Sequence, residues 1–245
     1  DTARLPYGTK SPETVQAYAL QATRLLIGEG VKMVVIACNT ASTVALAPLA
    51  EALAPVPVIG VIEPGARAAV AATRNRRIAV IATEGTVKGE AYPRAIQALR
   101  GEMDVVQRPC QVFVALAEEG WTDSLVTAAA AKLYLGSLFA GAAAPDTIVL
   151  GCTHFPVLAS AIRQVVGEDV AIVDSAETTA AAVADEASRE VELAGRGTRL
   201  GAVLIDGLIF GLGMLPIFIA VFVMGGMANM KDTRNMELGV AVADP

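Results

Sequence analysis

Short runs of branched apolar residues, each followed by a helix-type stretch, recur along this chain and constrain its fold more than any other feature. Val31–Ala37, Val56–Val61, Ile78–Ala82, Thr147–Leu150 and Val170–Val173 are such runs. Near-continuous Val/Ile/Leu runs are the mark of strands buried on both faces, as in a parallel sheet. The stretches Gly65–Thr73, Thr86–Leu99, Ser124–Phe139 and Val157–Val166 carry helical patterning between them. A first helix starts at Ser11-Pro12-Glu13, where Ser caps, Pro suits the first turn and Glu complements the helix dipole. Val15, Tyr18, Ala19, Ala22, Leu25 and Leu26 form its apolar stripe, and Gly28 and Gly30 end it. Strands alternating with helices predict a parallel α/β sheet. Such sheets bind ligands beyond the carboxyl ends of their strands.

Two of those strand ends echo each other. Val34-Val35-Ile36-Ala37-Cys38-Asn39-Thr40 and Ile148-Val149-Leu150-Gly151-Cys152-Thr153-His154 each run from apolar strand through a small residue to a cysteine and polar groups. Two similar halves would set two cysteines on opposite sides of one cleft. A thiol at a helix start is expected to have a lowered pKa. A thiolate is a general base and a thiol a general acid, so one on each face of an α-carbon could invert that carbon. A single cysteine at a strand end is ordinarily just buried. Here the neighbours Asn39, Thr40, Ala41, Ser42 and Thr153, His154, Phe155, Pro156 are polar and specific enough to favour chemistry. The third cysteine, Cys110, has no such neighbours and reads as structural.

Composition excludes several other classes. The net charge is −6, no block of Lys or Arg forms a stripe, and aromatics are 4% of the chain, which argues against nucleic-acid binding. The three cysteines form no CxxC pair, so no zinc site is expected, and their odd number argues against a disulfide framework. No metal, cofactor or Schiff-base lysine motif is expected.

Together with Asp1-Thr2-Ala3-Arg4-Leu5-Pro6-Tyr7-Gly8, the two cysteine motifs resemble the glutamate racemase family over about three quarters of the chain. The resemblance implies two α/β domains facing each other across the active site, and interconversion of L- and D-glutamate without a cofactor. By the same resemblance, D-glutamate would feed bacterial cell-wall precursors. Residue by residue, it implies Cys38 and Cys152 as the acid/base pair, with His154 assisting Cys152. Glu118 would support His154, although whether Glu118 or Glu119 points inward stays open. Pro6, Tyr7 and Gly8 match a substrate-holding turn, and Asn39, Thr40 and Thr153 match residues that bind the substrate's amino and carboxylate groups. Thr83 and Thr86 match a similar site, and helix capping explains them equally well. Aspartate racemases share the two-cysteine logic but carry Glu where His154 stands, which favours glutamate; aspartate remains the alternative substrate.

The chain also departs from that family. The Asp-Ser-Gly-x-Gly-Gly turn that gives the first cysteine an aspartate is not found, and Asp1 opens mid-motif without an initiating Met. The first domain is therefore expected to be incomplete, with apolar sheet edges exposed. Leu200–Met230 holds one ionisable residue, Asp206. Its length suits ~30 Å of hydrocarbon, so a transmembrane helix is expected through 200–227, with the N-terminal side cytosolic. Arg196-Gly197-Thr198-Arg199-Leu200-Gly201-Ala202 and Ile205-Asp206-Gly207 resemble the start of the RDD family of membrane proteins, by a natural tether or a fused gene. The expected division is 1–62 (first racemase domain, partial), 63–175 (second domain), 176–198 (helix and linker) and 199–245 (RDD-like membrane segment). Glutamate is the expected small-molecule partner, and a homodimer is compatible with this reading. A catalytically impaired, membrane-held binding domain is the competing function.

Overall fold

The computed structural model describes residues 2–193 and 219–222. In chain order the elements are α1 (Pro12–Gly28), β1 (Met33–Ile36), α2 (Asn39–Ala52), β2 (Val58–Gly60), α3 (Ile62–Ala72), β3 (Arg77–Ala82), α4 (Glu84–Lys88) and α5 (Ala91–Leu99). They continue with β4 (Asp104–Pro109), α6 (Gln111–Glu118), α7 (Leu125–Leu135), β5 (Thr147–Gly151), α8 (Ala159–Val166), β6 (Ala171–Asp174), α9 (Ser175–Leu193) and β7 (Ile219–Phe222). The strands form two sheets, ordered β2-β1-β7 and β4-β3-β5-β6. Every pairing is parallel except β1 with β7. The expected α/β architecture with parallel sheets is present.

Burial explains why the apolar runs become strands. All of β1 and β5 is buried, as are Ile78 to Ala82 of β3. Around the first sheet, Val34 and Ile36 pack with Ala41, Ala45 and Leu49 of α2 and with Val15 and Ala19 of α1. The second sheet has a core on each face. Phe113, Leu135, Leu150, Phe155 and Ile162 fill one. Ile62, Ala66, Ile78, Tyr92, Ile96 and Val149 fill the other. Val183 of α9 packs with Met33 and Val35 of β1, so α9 ties the two sheets together. Each fully buried Ile, Leu or Phe contributes about 1.5–3 kcal/mol of burial free energy.

Three expectations need correction. The helix expected over Thr86–Leu99 is broken into α4 and α5. At the break, Glu90 takes a left-handed φ of 50°, and a Cβ on Gly89 would lie 2.1 Å from Thr43 Cγ2 of α2. Close approach to α2 therefore requires glycine and ends α4 there. Second, the transmembrane helix expected through 200–227 falls largely outside the described residues, and its four described residues form β7. Branched apolar residues suit a strand as well as a span, and β1 offers unpaired backbone groups along its edge. Ile219–Phe222 takes that edge in antiparallel register, Met33 opposite Phe222 and Ile36 opposite Ile219. The apolar edge expected to be exposed is thus covered along β1. Among the described residues, no helix is long and apolar enough to cross a membrane. Third, the stretch 104–118, for which the sequence suggests no element, forms β4 and α6.

Candidate active site

The two cysteine turns are built differently. Cys38 follows β1 and is the N-cap of α2, its Sγ accepting the Ala41 N–H at 3.5 Å. Cys152 follows β5 and enters a turn leading to a short 3-10 segment, Phe155–Leu158, before α8 begins. Both thiols are buried. The expectation of lowered thiol pKa values does not hold. Burial pushes Cys38 up to about 11, and the Ala41 and Thr40 contacts only partly oppose it. Burial likewise pushes Cys152 up to about 12, against the His154 backbone N–H, with the nearby Cys38 and Glu118 adding to the rise. Desolvation of a thiolate outweighs a few N–H dipoles here.

Both thiols nevertheless face one cavity. About 300 Å³ of space, counted out to its open mouth, is lined by Pro6, Tyr7, Gly8, Cys38, Asn39 and Thr40 from the first half. Thr83, Gln111, Val114, Cys152, Thr153 and His154 line it from the second. No Lys or Arg is among these residues. An anionic ligand would therefore be held by hydroxyls, amides and backbone N–H groups.

Behind Cys152 stands a polar relay. His154 Nδ1 is 3.6 Å from Cys152 Sγ, and His154 Nε2 hydrogen-bonds Glu118 Oε1. His154 is 8% exposed and Glu118 36%, so the carboxylate reaches from solvent to a buried ring. With Nε2–H donated to the carboxylate, Nδ1 presents its lone pair to the thiol. The contact resolves the choice between Glu118 and its neighbour, because Glu119 is exposed. No side-chain base contacts Cys38 among the hydrogen bonds of the described residues; Tyr7 is near enough for the Cys38 charge to help raise its phenol pKa, after burial.

Threonines close the other end. Thr40 Oγ1 lies 2.8 Å from Thr83 Oγ1 and 3.2 Å from Thr86 Oγ1, and Thr83 caps α4 by accepting the Thr86 N–H. Capping and cavity lining hold together for Thr83. Thr86 is fully buried behind it and does not line the cavity. Gly8 is positioned by its carbonyl, which accepts the Gly85 N–H at 2.9 Å. Asn39 donates from Nδ2 to Ser175 Oγ at 3.3 Å and accepts from the Tyr92 hydroxyl at 2.8 Å.

The structure thus gathers every residue expected at the site, Glu118 and Thr86 standing behind the lining. Sequence reasoning missed Gln111 and Val114, which α6 brings to the wall, and the supports Tyr92 and Ser175. Only the position of Gln111 and Val114 just after a strand end could have flagged them. Among the described residues, no group of three His, Cys, Asp or Glu side chains could hold a metal ion.

A model of the Asp/Glu/Hydantoin racemase family matches residues 1–183. The chain belongs to that family. This racemase-family chain is 53% identical over 185 residues to a glutamate racemase of Geobacter metallireducens, covering 76% of its own length and 67% of the relative's. Its fold is similar to a glutamate racemase isoform of Bacillus anthracis, with a TM-score of 0.74 and 38% identity over 78% of this chain and 70% of that one. It is also similar to the Francisella tularensis glutamate racemase solved in complex with D-glutamate, with a TM-score of 0.72, 33% identity and the same two coverages, 78% and 70%. The chain therefore spans about two thirds of the length of these relatives.

Proposed function

We propose that this chain interconverts L- and D-glutamate by proton transfer between two thiols, without a cofactor, and that the D-glutamate supplies peptidoglycan synthesis. One observation carries the reading: Cys38 and Cys152 come from the ends of strands in two different sheets and line one cavity. The substrate rests on the relatives, which are glutamate racemases, one of them bound to D-glutamate.

The reaction balances simply. One cysteine, as thiolate, takes the α-hydrogen as a proton and becomes a thiol. The other, as thiol, gives its proton to the opposite face and becomes a thiolate, so the enzyme ends one turnover poised for the reverse direction. His154 Nδ1 takes the Cys152 proton when that thiol must act as base, and Glu118 balances the imidazolium so formed. Asn39, Thr40 and Thr153 hold the amino and carboxylate groups, and hydrogen bonds to the carboxylate stabilise the charge that develops on it. Pro6, Tyr7 and Gly8, with Thr83 and its support Thr86, shape the remaining wall.

Residues 1–62 and 63–175 are assigned to the two facing domains. The packing of α3 on α5, α9 and β5 supports a boundary at about its start. For 199–245, an RDD-like membrane segment and a cover for the β1 edge compete, and the pairing of β7 favours the cover. Alkaline extraction of expressing cells separates them: a membrane-held chain stays in the pellet. The racemase domains are placed in the cytoplasm, and sedimentation tests for a homodimer.

The function is tested by following the optical activity of L-glutamate incubated with the purified chain. Decay to zero is expected, faster than with L-aspartate. Faster decay with aspartate reassigns the substrate. Binding of glutamate by calorimetry without any decay supports the binding-domain alternative, which the raised Cys38 pKa, with no side-chain base hydrogen-bonded to Cys38 among the described residues, favours.

A further inference from the structure

The two thiols belong to different sheets, so no single stretch of backbone sets the distance between them. Something must hold the two turns in register, because displacing a reacting group by about 1 Å costs on the order of a hundredfold in rate. One side chain touches both turns. Tyr92 of α5 is fully buried. Its hydroxyl donates to Asn39 Oδ1 at 2.8 Å, one residue after Cys38. Its ring edge lies against Gly151, one residue before Cys152, where a Cβ would sit 3.2 Å from Tyr92 Cε2, after the Ile81 carbonyl at 2.9 Å and Ala82 Cβ at 3.1 Å. The other side of the ring is seated on Gly65 of α3, where a Cβ would sit 3.1 Å from the Tyr92 hydroxyl oxygen. Neither glycine has a left-handed φ, so close approach, not backbone conformation, is what these positions require.

We infer that Tyr92 is a positioning residue that sets the separation of the Cys38 and Cys152 thiols by bracing Asn39 against Gly151; this rests on the two-thiol reading of the site. The hydroxyl acts on Asn39 in a second way. Only the carboxamide oxygen can accept from a phenol that donates, so the bond fixes which way the Asn39 amide faces. Its Nδ2 is then turned to Ser175, with one further N–H left for a ligand in the cavity that Asn39 lines.

Tyr92→Phe keeps the ring and deletes the bond. It is expected to lower kcat for glutamate by about ten- to a hundredfold while KM changes less than threefold, because alignment is needed in the transition state more than for binding. Gly65→Ala approaches from the other side. Alanine favours a helix over glycine, yet here it crowds the hydroxyl, so kcat should fall while the melting temperature holds. In the double variant the hydroxyl contact is gone but a Cβ would still lie 3.2 Å from the ring Cε1, so its kcat loss should be at least that of Tyr92→Phe yet smaller than the product of the two single losses. Crystal structures of the parent and Tyr92→Phe then compare the Sγ–Sγ separation, which should change.

Wild-type kcat in Tyr92→Phe, or multiplicative losses in the double variant, overturns the inference. So does an unchanged Sγ–Sγ separation. If Tyr92→Phe does not fold, Gly65→Ala and its structure decide alone. A parent chain inactive on glutamate and aspartate overturns the functional reading instead, and the Sγ–Sγ comparison still decides the role of Tyr92.

Discussion

Removing the charge behind His154 should slow the enzyme by an amount the site allows to be worked out. Glu118 accepts the His154 Nε2 hydrogen bond from a position 36% exposed. A hydrogen bond involving an ion contributes about 1.5–3 kcal/mol, and water around a half-exposed carboxylate screens it toward the lower end. At about 1.4 kcal/mol per tenfold, ~1.5–2 kcal/mol corresponds to a loss of roughly ten- to thirtyfold in kcat/KM. Glu118→Ala, in which water replaces the carboxylate, should show that loss. Glu118→Gln should lose more, because its amide N–H competes to donate to Nε2 and would move the ring proton to Nδ1, where it blocks the lone pair facing Cys152. The assay is racemisation followed by circular dichroism from each enantiomer. The equilibrium constant between enantiomers is unity, so kcat/KM must fall equally in both directions, which checks the data internally. Folded Glu118→Ala and Glu118→Gln proteins within twofold of the parent would refute the relay.

Other consequences follow from the same structure. Cys38, Cys110 and Cys152 are held at about 11, 12 and 12 by burial, above the roughly 8.5 of an unfolded cysteine. Their protonated state therefore contributes stability that is whole below about pH 8.5 and is lost as pH rises toward 11–12, by about 1.4 kcal/mol per pH unit for each fully differing proton. Urea midpoints at pH 8, 9 and 10 should fall, less steeply in Cys110→Ala; flat midpoints would contradict the burial. Asp146 accepts from Thr73 Oγ1 and from the Arg74 and Asn75 backbone N–H groups at 2.6, 2.8 and 2.7 Å, clasping the loop before β3. Asp146→Ala should cost about 1–3 kcal/mol in chemical denaturation, with little effect on kcat. A Cβ on Gly8 would sit 2.6 Å from Thr83 Cβ, so Gly8→Ala must displace the threonine wall. Its kcat/KM should fall at least about tenfold, since displacing site groups by about 1 Å costs on the order of a hundredfold in rate; parent-like kinetics would remove Gly8 from the site.

What the sequence disclosed follows burial. β1, β3 and β5 are interior strands, so each carries a run of apolar residues, and a cysteine in the cavity follows β1 and β5 within two residues. β4 is not legible because it is an edge strand, half-buried from Val105 to Arg108, whose Asp104, Gln107 and Arg108 break the apolar pattern. Helix α6 starts at Gln111 directly after that strand, so its start was hidden too. Local motifs located His154 and Thr153, but nothing local announces Tyr92, whose partner Asn39 is 53 residues away. Thiol acidity is not legible in the sequence, because helix starts are visible there and depth of burial is not. Ile219–Phe222 is apolar enough for a membrane, and only the unpaired edge of β1 makes a strand of it.

The most direct measurement follows hydrogen at the α-carbon. In deuterated water with L-glutamate, early D-glutamate should carry solvent deuterium, because the thiol that donates it has exchanged with solvent, and Cys38→Ala with Cys152→Ala should abolish its formation. Early D-glutamate that retains the original hydrogen, or D-glutamate formed without either sulfur, would contradict transfer between two opposed thiols.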